Sequence, residues 1–292
     1  MKVAISKLPK KPWWGTGIIG YKDNPAMRDG IIPDQNLLFK ERENLINTLE
    51  NNNIEVIQFS FPEELENKRY GHDFVFLRDA FISDLNMNVL LLKFSQKNRD
   101  AESKKISDYL EKLNYNITEI PNRKNVFAEG GEFYYCPKDK VLFSGLKRNS
   151  ISGAEEVASF LNVNKLILIK TKAFHLDTVF TTIMDRHGRL CAVIVCKDLI
   201  SKDSFDLLIQ FSRSNSIDII NIPPVDSIGI KNNIGSLAVN NFSAPGLLIS
   251  SSRFSEPSVA NYLNSKNIKM ETTPVSQFKL SGGSIHCLTN EL

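Results

Sequence analysis

The sequence predicts an α/β fold built from repeated units, and three observations carry that reading. An apolar segment at helical spacing, followed by a short strand-like run, recurs about five times at intervals of roughly 50 residues, the mark of an internal repeat. No linker or low-complexity tract separates these segments. The 292 residues are 42% hydrophobic and 24% charged, the balance of a soluble globular protein with a sizeable core.

Gln35 to Asn51 places Leu37, Leu38, Leu45 and Leu49 on a helix, and Ile54 to Phe59 follows as a strand. Asn88 to Phe94 reads as a buried strand. Arg99 to Leu113 is an amphipathic helix through Ile106, Leu110 and Leu113, with Asn116 to Ile120 extended after it. Ser152 to Leu161 and Lys165 to Lys170 make the next helix–strand pair. Ser204 to Ser212 with Ile217 to Ile220, and Ser255 to Ser265 with Ile268 to Glu271, make the last two. Residues 1–292 therefore read as one α/β domain, with a two-domain split near Ser150 as the alternative. Periodicity alone does not separate a closed arrangement from an open one.

Charge and cysteine usage exclude several classes of function. Net charge is +3 with acidic and basic residues interspersed, and no basic tract carries interleaved aromatics, so no nucleic-acid partner is expected. The amino end has too short an apolar run for a signal peptide, and no stretch approaches the roughly 20 apolar residues of a membrane span. Cys136, Cys191, Cys196 and Cys287 form no CxxC pair and no evident disulfide framework, which suits a reducing, cytoplasmic setting. With four histidines and no clustered Asp/His ligand motif, a metal-dependent hydrolase is disfavoured, and no cofactor is expected.

Four polar stretches interrupt the apolar pattern. In Gly71 to Phe81, Phe74 and Phe76 alternate as in a buried strand, yet Asp73, Arg78 and Asp79 sit among them; a charged turn at a strand end explains this equally well. In Phe127 to Phe133, a glycine pair lies between Glu129 and Glu132, either as a hairpin turn or as a close approach to a cationic ligand. In Phe174 to Thr181, a strand would give His175 and Asp177 the same facing, as a base and its orienter or as a satisfied buried pair. Near the carboxyl end, Gly282 and Gly283 lead into Cys287, a candidate nucleophile or an inert buried thiol. On an alternating run, His286 would point away from that thiol. Together, a thiol, an imidazole and the carboxylates of Asp79, Glu129 and Asp177 suit a cation. A guanidinium, planar and rich in N–H donors, matches carboxylates bidentately and lowers the cost of a nearby thiolate.

These residues resemble the guanidine-modifying, or arginine deiminase-like, superfamily. Leu77-Arg-Asp-Ala-Phe81 is similar to its Arg-Asp-Pro-Phe motif, with Ala80 in place of proline. Glu129-Gly-Gly-Glu132 resembles Glu-Gly-Gly-Asp, His175-Leu-Asp-Thr-Val-Phe-Thr181 is close to the arginine deiminase form, and Gly282 to Thr289 resembles the cysteine motif. Tyr21-Lys-Asp-Asn-Pro-Ala-Met27 is similar to an Asn-Pro segment of compact bacterial members. The motifs fall in the family's order from residue 21 to the end.

The resemblance implies an α/β-propeller of about five ββαβ units around a central pocket. It implies a Cys287 nucleophile forming an amidino-thioether, His175 as general acid and base, and Asp79, Glu129 and Asp177 holding the guanidinium. Arg148 and Arg99 match positions that bind a substrate carboxylate, Asp73 and Asn24 positions for the α-amino group, and Trp13 to Gly17 a lid or an aromatic anchor. The expected activity is hydrolysis of L-arginine or an N-substituted arginine to citrulline. Dimethylarginine hydrolysis, amidino transfer and a degenerate guanidine-binding protein are the alternatives. Asp177 and Asp79 favour a deiminase, whereas the chain has no room for the helical domain typical of arginine deiminases. The expected partner is a small guanidine, with no nucleic acid or membrane, and a homo-oligomer is left open.

Overall fold

The computed structural model describes residues 1–14, 24–66, 71–230 and 233–292. Along the chain come β1 (Lys2–Ser6), α1 (Pro25–Arg28), α2 (Gln35–Asn51), β2 (Glu55–Phe59) and α3 (Glu63–Glu66). β1 and β2 are parallel, joined through α2, because parallel neighbours need a crossover rather than a tight turn. The same pattern then repeats with an antiparallel strand in front. β3 (Phe81–Ser83) pairs antiparallel with β4 (Asn88–Leu91), and after α4 (Asp100–Lys112) β5 (Asn116–Glu119) returns parallel to β4.

The next unit is β6 (Phe133–Cys136), β7 (Val141–Gly145), α5 (Ile151–Phe160) and β8 (Lys165–Ile169). It is followed by β9 (Phe180–Met184), β10 (Leu190–Val195), α6 (Lys202–Asn215) and β11 (Asp218–Asn221). A small hairpin, β12 (Gly229–Ile230) with β13 (Asn233–Ile234), precedes β14 (Phe242–Ala244), β15 (Leu247–Ser250), α7 (Pro257–Ser265) and β16 (Lys269–Thr272). Last come α8 (Ser276–Lys279), α9 (Ile285–Leu288) and β17 (Thr289–Glu291). β17 pairs antiparallel with β1, so the β17-β1-β2 sheet has the same one-antiparallel, one-parallel composition as the others. Among the described residues there are five such three-stranded sheets in a mixed α/β fold.

Several helices start where the sequence supplies a cap. The Asp34 carboxylate accepts from the Asn36 and Leu37 amides, Ser150 from Gly153, and Ser201 from Ser204, each satisfying donors that a first turn leaves without partners. α2 buries Leu38, Leu45, Ile46 and Leu49 against the core, whereas Leu37 is 39% exposed and lies off that face. Among the described residues no helix is long and apolar enough to cross a membrane.

Three stretches read as strands are turns. Gly71–Val75 and Leu77–Ala80 are 3-10 turns leading into β3, Leu176–Thr178 is a 3-10 turn before β9, and Ile285–Leu288 is the single helical turn α9. All of residues 71–83 are buried, so no solvent side exists to give the segment a readable period.

The carboxyl-terminal strand is held on several sides. Leu292 N–H donates to the Lys2 carbonyl, the Asn290 side chain donates to the Leu77, Arg78 and Phe81 carbonyls, and Glu291 pairs with buried Arg78 at 2.5 Å. Deleting residues 289–292, which leaves Cys287 in the chain, strands the Arg78 guanidinium in the interior. The urea unfolding midpoint should fall by the equivalent of about 3–5 kcal/mol. An unchanged midpoint would show that this strand is not part of the folded core.

Candidate active site

Three buried turns and α9 bring the site together. Asp79 comes from the turn before β3, Glu129 from the residue before the Gly130–Glu132 turn, His175 and Asp177 from the turn before β9, and Cys287 from α9. Gly131 forms its floor. A Cβ there would stand 2.7 Å from His175 Nδ1, 2.8 Å from Asp79 Oδ1 and 3.1 Å from Asp177 Oδ2, so three functional groups converge on one backbone position. The Gly131 amide itself donates to Asp79 Oδ1 at 3.0 Å.

His175 Nε2 lies 2.8 Å from Glu129 Oε2, and its Nδ1 is 3.6 Å from Asp79 Oδ1. Burial alone would lower the imidazole, but Asp79 and the bond to Glu129 outweigh it and raise His175 to about 10. Glu129 moves the opposite way. Burial would raise it, yet His175 and two bonds from Ser95, through its amide at 2.8 Å and its hydroxyl at 2.6 Å, bring it down to about 2. His175 is therefore an imidazolium at neutral pH, with Nε2 committed to Glu129 and Nδ1 turned toward the Gly131 floor.

Asp177 is 0% exposed. Its Oδ2 accepts from the Cys287 thiol at 3.3 Å and from His286 Nδ1 at 2.9 Å, while Oδ1 has no hydrogen-bond partner among the described residues. Burial would raise this carboxyl, but His286, His175 and the thiol hold it below its ordinary value, so it is ionised. An ionised carboxylate accepts only, which places the proton on His286 Nδ1. Burial and Arg78 push the His286 imidazole down, so it is neutral, and it stacks on Tyr134 with ring centroids 4.6 Å apart. Burial and the Asp177 and Asp79 carboxylates push Cys287 well above a normal thiol, so it is protonated in the free protein. Asn240 flanks it, accepting from the Cys287 amide at 3.3 Å and donating to the sulfur at 3.2 Å.

Several expected residues sit elsewhere than the sequence placed them. His286 does not point away from the site: on a helical turn rather than a strand, it shares Asp177 with its neighbour Cys287. Arg99 is turned inward, its donors going to Glu102, to Asp79 at 2.5 Å and to the Asp73 and Phe76 carbonyls. It is an internal counter-ion for Asp79, not a free clamp for a substrate carboxylate. Glu129 has both oxygens engaged in the free protein, Oε1 by Ser95 and Oε2 by His175, so its first partner is the imidazole. Asn24 spends its side chain on the Leu280 carbonyl and the Met27 amide. Asp73 Oδ1 is 3.3 Å from His72 Nε2, one residue before it. The half-buried Arg148 side chain makes no hydrogen bond or ion pair among the described residues, and only its amide is used, donating to Glu132.

Glu132, fully buried, is a brace. It accepts from the Lys147 and Arg148 amides through Oε1 and from Leu176 through Oε2, joining the loop after β7 to the His175 turn. Gly145 makes room for it, since a Cβ there would lie 1.7 Å from Glu132 Oε2. Trp13, 1% exposed, donates to the His72 carbonyl and packs on Phe278 and Phe76, which makes it an anchor. Gly15 to Gly17, the rest of the expected lid, and Tyr21 to Asp23 of the Asn-Pro segment lie outside the described residues. Sequence reasoning missed Ser95, Glu102, Asn240 and the role of Gly131. Glu102 carried a signal, three residues after Arg99 on one helix, and so did Asn240-Asn241 inside an apolar run.

A family model described as N,N dimethylarginine dimethylhydrolase, eukaryotic, matches residues 29–292, so the chain belongs to that family, within the guanidine-modifying pentein superfamily. No curated protein matches the chain by sequence. Among solved structures it is similar to AgrE in a ternary complex with ornithine and NAD+ (TM-score 0.79, 18% identity, 99% of this chain and 39% of that one). It is also similar to the substrate-bound N-terminal domain of ArgZ, an arginine dihydrolase of the cyanobacterial ornithine-ammonia cycle (0.78, 19%, 99% and 96%). A third is a dimethylarginine dimethylaminohydrolase adduct with 4-chloro-2-hydroxymethylpyridine (0.71, 12%, 100% and 99%). The chain thus spans well under half the length of AgrE.

The His175–Glu129 pair has a consequence for stability. His175, near 6.5 when unfolded and about 10 when folded, contributes stability that is complete below pH 6.5 and lost as pH rises through 10. Glu129, 4.5 unfolded and about 2 folded, contributes stability that is complete above pH 4.5 and lost as pH falls through 2. Denaturant titrations between pH 6.5 and 10 should therefore show stability falling in the wild type, with a shallower slope in Glu129→Gln. Equal slopes would contradict the pairing.

Proposed function

We propose that the protein hydrolyses the guanidine C–N bond of L-arginine or an N-substituted arginine, with Cys287 as nucleophile and residues 1–292 acting as one catalytic unit. The observation that carries this reading is Asp177: a buried, ionised carboxylate that holds the thiol through one oxygen and has the other without a protein partner. Buried polar groups are normally satisfied, so such an oxygen beside a nucleophile suits a ligand N–H. A planar cation with several donors matches it, and the family to which the chain belongs acts on such groups. In this reading the five sheets surround the site as a propeller, as the family resemblance implies.

The chemistry follows from the charges. A bound guanidinium offsets the two carboxylates that hold the thiol protonated, and the thiol proton passes to solvent. The thiolate forms an S–C bond to the guanidinium carbon, the bond to the departing nitrogen breaks, and the His175 imidazolium gives that nitrogen its proton. Neutral His175 then draws a proton from water as the oxygen adds to carbon and the S–C bond breaks. The second water proton is released to solvent, where it and the ammonia make ammonium. As citrulline leaves, the thiolate takes a proton back from solvent, with the His175 imidazolium already restored. With arginine the products are citrulline and ammonia. Glu129 holds the imidazole, Asp177 and Asp79 favour the positive charge, and Arg148 receives the substrate carboxylate.

The family model favours a second reading, hydrolysis of dimethylarginine to citrulline and dimethylamine. Asp177 argues for the unmethylated group, because a methyl group at Oδ1 leaves that oxygen without a donor. Mass spectrometry of products from arginine, methylated arginines and agmatine separates the two. Ammonia from arginine should predominate, and Cys287→Ser should lower turnover at least about a thousandfold. Release of neither ammonia nor an alkylamine from any of them refutes hydrolysis. Arg148→Ala should raise KM for arginine by about 10- to 100-fold while leaving agmatine, which lacks the carboxylate, nearly unchanged; equal effects on both would remove Arg148 from that role.

A further inference from the structure

A residue that the proposed hydrolysis leaves unused holds the candidate nucleophile. Asn240 is fully buried, on the turn immediately before β14. That turn is fixed from several sides. The Asn240 amide donates to the Leu237 carbonyl, and the Ala238 carbonyl accepts from the Ser250 hydroxyl at 2.8 Å and from the Asn241 side chain at 3.1 Å. The Asn240 side chain is equally committed. Oδ1 accepts from the Cys287 amide at 3.3 Å, and Nδ2 donates to the Asp177 carbonyl and to the Cys287 sulfur, both at 3.2 Å. A flipped amide would turn Nδ2 toward the Cys287 N–H and an oxygen toward the Asp177 carbonyl. Those two backbone groups therefore fix which end of the amide faces the thiol.

The sulfur thus has two polar neighbours of opposite kind. Its S–H donates to Asp177 Oδ2 at 3.3 Å, while the Asn240 N–H donates to it. When the S–H bond breaks and the proton passes to solvent, the bond to Asp177 is lost. The bond from Asn240 remains, now to an anion, and hydrogen bonds to an ionised acceptor are roughly twice as strong as neutral ones. Burial and the Asp177 and Asp79 carboxylates push the thiol up, whereas the Ser284 backbone and the Asn240 side chain pull it down.

We propose that Asn240 is the thiolate-stabilising residue of this site, a fixed N–H donor that strengthens on the Cys287 sulfur once its proton has left. A donor held in place before the charge develops costs no reorganisation when it does. Both Nδ2 bonds and the Oδ1 bond go to protein atoms, so the amide sets how much nucleophile forms and not how tightly a guanidine binds. The effect on turnover rests on the proposed hydrolysis; the effect on the thiol does not. A purely structural role gives the opposite sign. A thiol freed from burial and from the two carboxylates returns toward its ordinary value and reacts faster, whereas one that keeps its surroundings and loses the donor reacts more slowly.

Alkylation of the full chain by iodoacetamide, followed over about pH 7.5 to 9.5 on the Cys287 peptide by mass spectrometry, tests this without substrate. The half-buried Cys191 in the same digest is the reference. Asn240→Leu, which removes the donor without adding charge, should slow Cys287 at least about tenfold at each pH. Asn240→Asp, which keeps the acceptor for the Cys287 amide, should slow it further, with Cys191 unchanged in both. Should the reagent not reach Cys287, the ultraviolet thiolate absorbance of each protein against its own Cys287→Ser partner reads the same quantity. Thermal unfolding checks that the variants fold; if Asn240→Leu does not, Asn240→Asp decides. With arginine, kcat should fall at least about tenfold and KM change less than about threefold. Equal or faster alkylation of Cys287 in the folded variants overturns the proposal, even if the wild type hydrolyses arginine. Slower alkylation in a protein that hydrolyses no guanidine upholds it and removes only the hydrolysis.

Discussion

One buried carboxylate organises the centre of this molecule. Asp177 is ionised in the interior because His286, His175 and the Cys287 thiol all face it, the first and last from the single turn α9 and His175 from the turn that carries Asp177 itself. Removing a charge from water is costly unless partners replace the lost hydration. That cost is met on one oxygen and left open on the other, and this open oxygen is what the proposed guanidinium would fill. The high position of the thiol follows from the same source. The same carboxylate that is open on one oxygen keeps the Cys287 thiol protonated through the other.

The charges around it come in linked pairs. Arg99 neutralises Asp79 from within, Glu129 stabilises the His175 imidazolium, and Arg78 is balanced by Glu291. A cluster of three carboxylates, which looked like a cage for one guanidinium, is divided among several tasks. Asp177 bonds the Cys287 thiol and His286, Glu129 bonds His175, and Asp79 sits between an internal arginine and His175. Buried charges tolerate this density because each has a partner within hydrogen-bonding distance.

Much of the architecture was legible in the sequence. The five helix–strand pairs fall within a few residues of their expected positions, because each helix has one solvated and one buried side and four of the five starts have a capping side chain. The hairpin strands in front of them, such as β6 with β7 and β9 with β10, were missed. Their residues are buried on both faces, so alternation is lost. Cys287, His175, Asp79, Glu129 and Asp177, named as candidates from residue type and order, do lie together around Gly131. Their roles were less legible, since the turns carrying them were taken for strands. On a strand, adjacent His286 and Cys287 face apart; on a helical turn they are about 100° apart and reach the same carboxylate. Arg99 was misjudged for a related reason: no local pattern tells whether a long cation faces solvent or the interior.

The pairing of β1 with β17 bears on how the site comes into being. Val3 opposite Glu291 joins positions separated by nearly the whole described chain, whereas the other sheets close over a few dozen residues. Loop closure costs more entropy as the loop lengthens, and contacts distant in sequence form slowly. The local units therefore have the shorter route to structure, and the sheet adjoining α9 is the last to gain from closing. The contacts of Cys287 with Asp177 and Asn240 likewise span more than forty residues, so the surroundings that raise its thiol belong to long-range closure and not to any local unit.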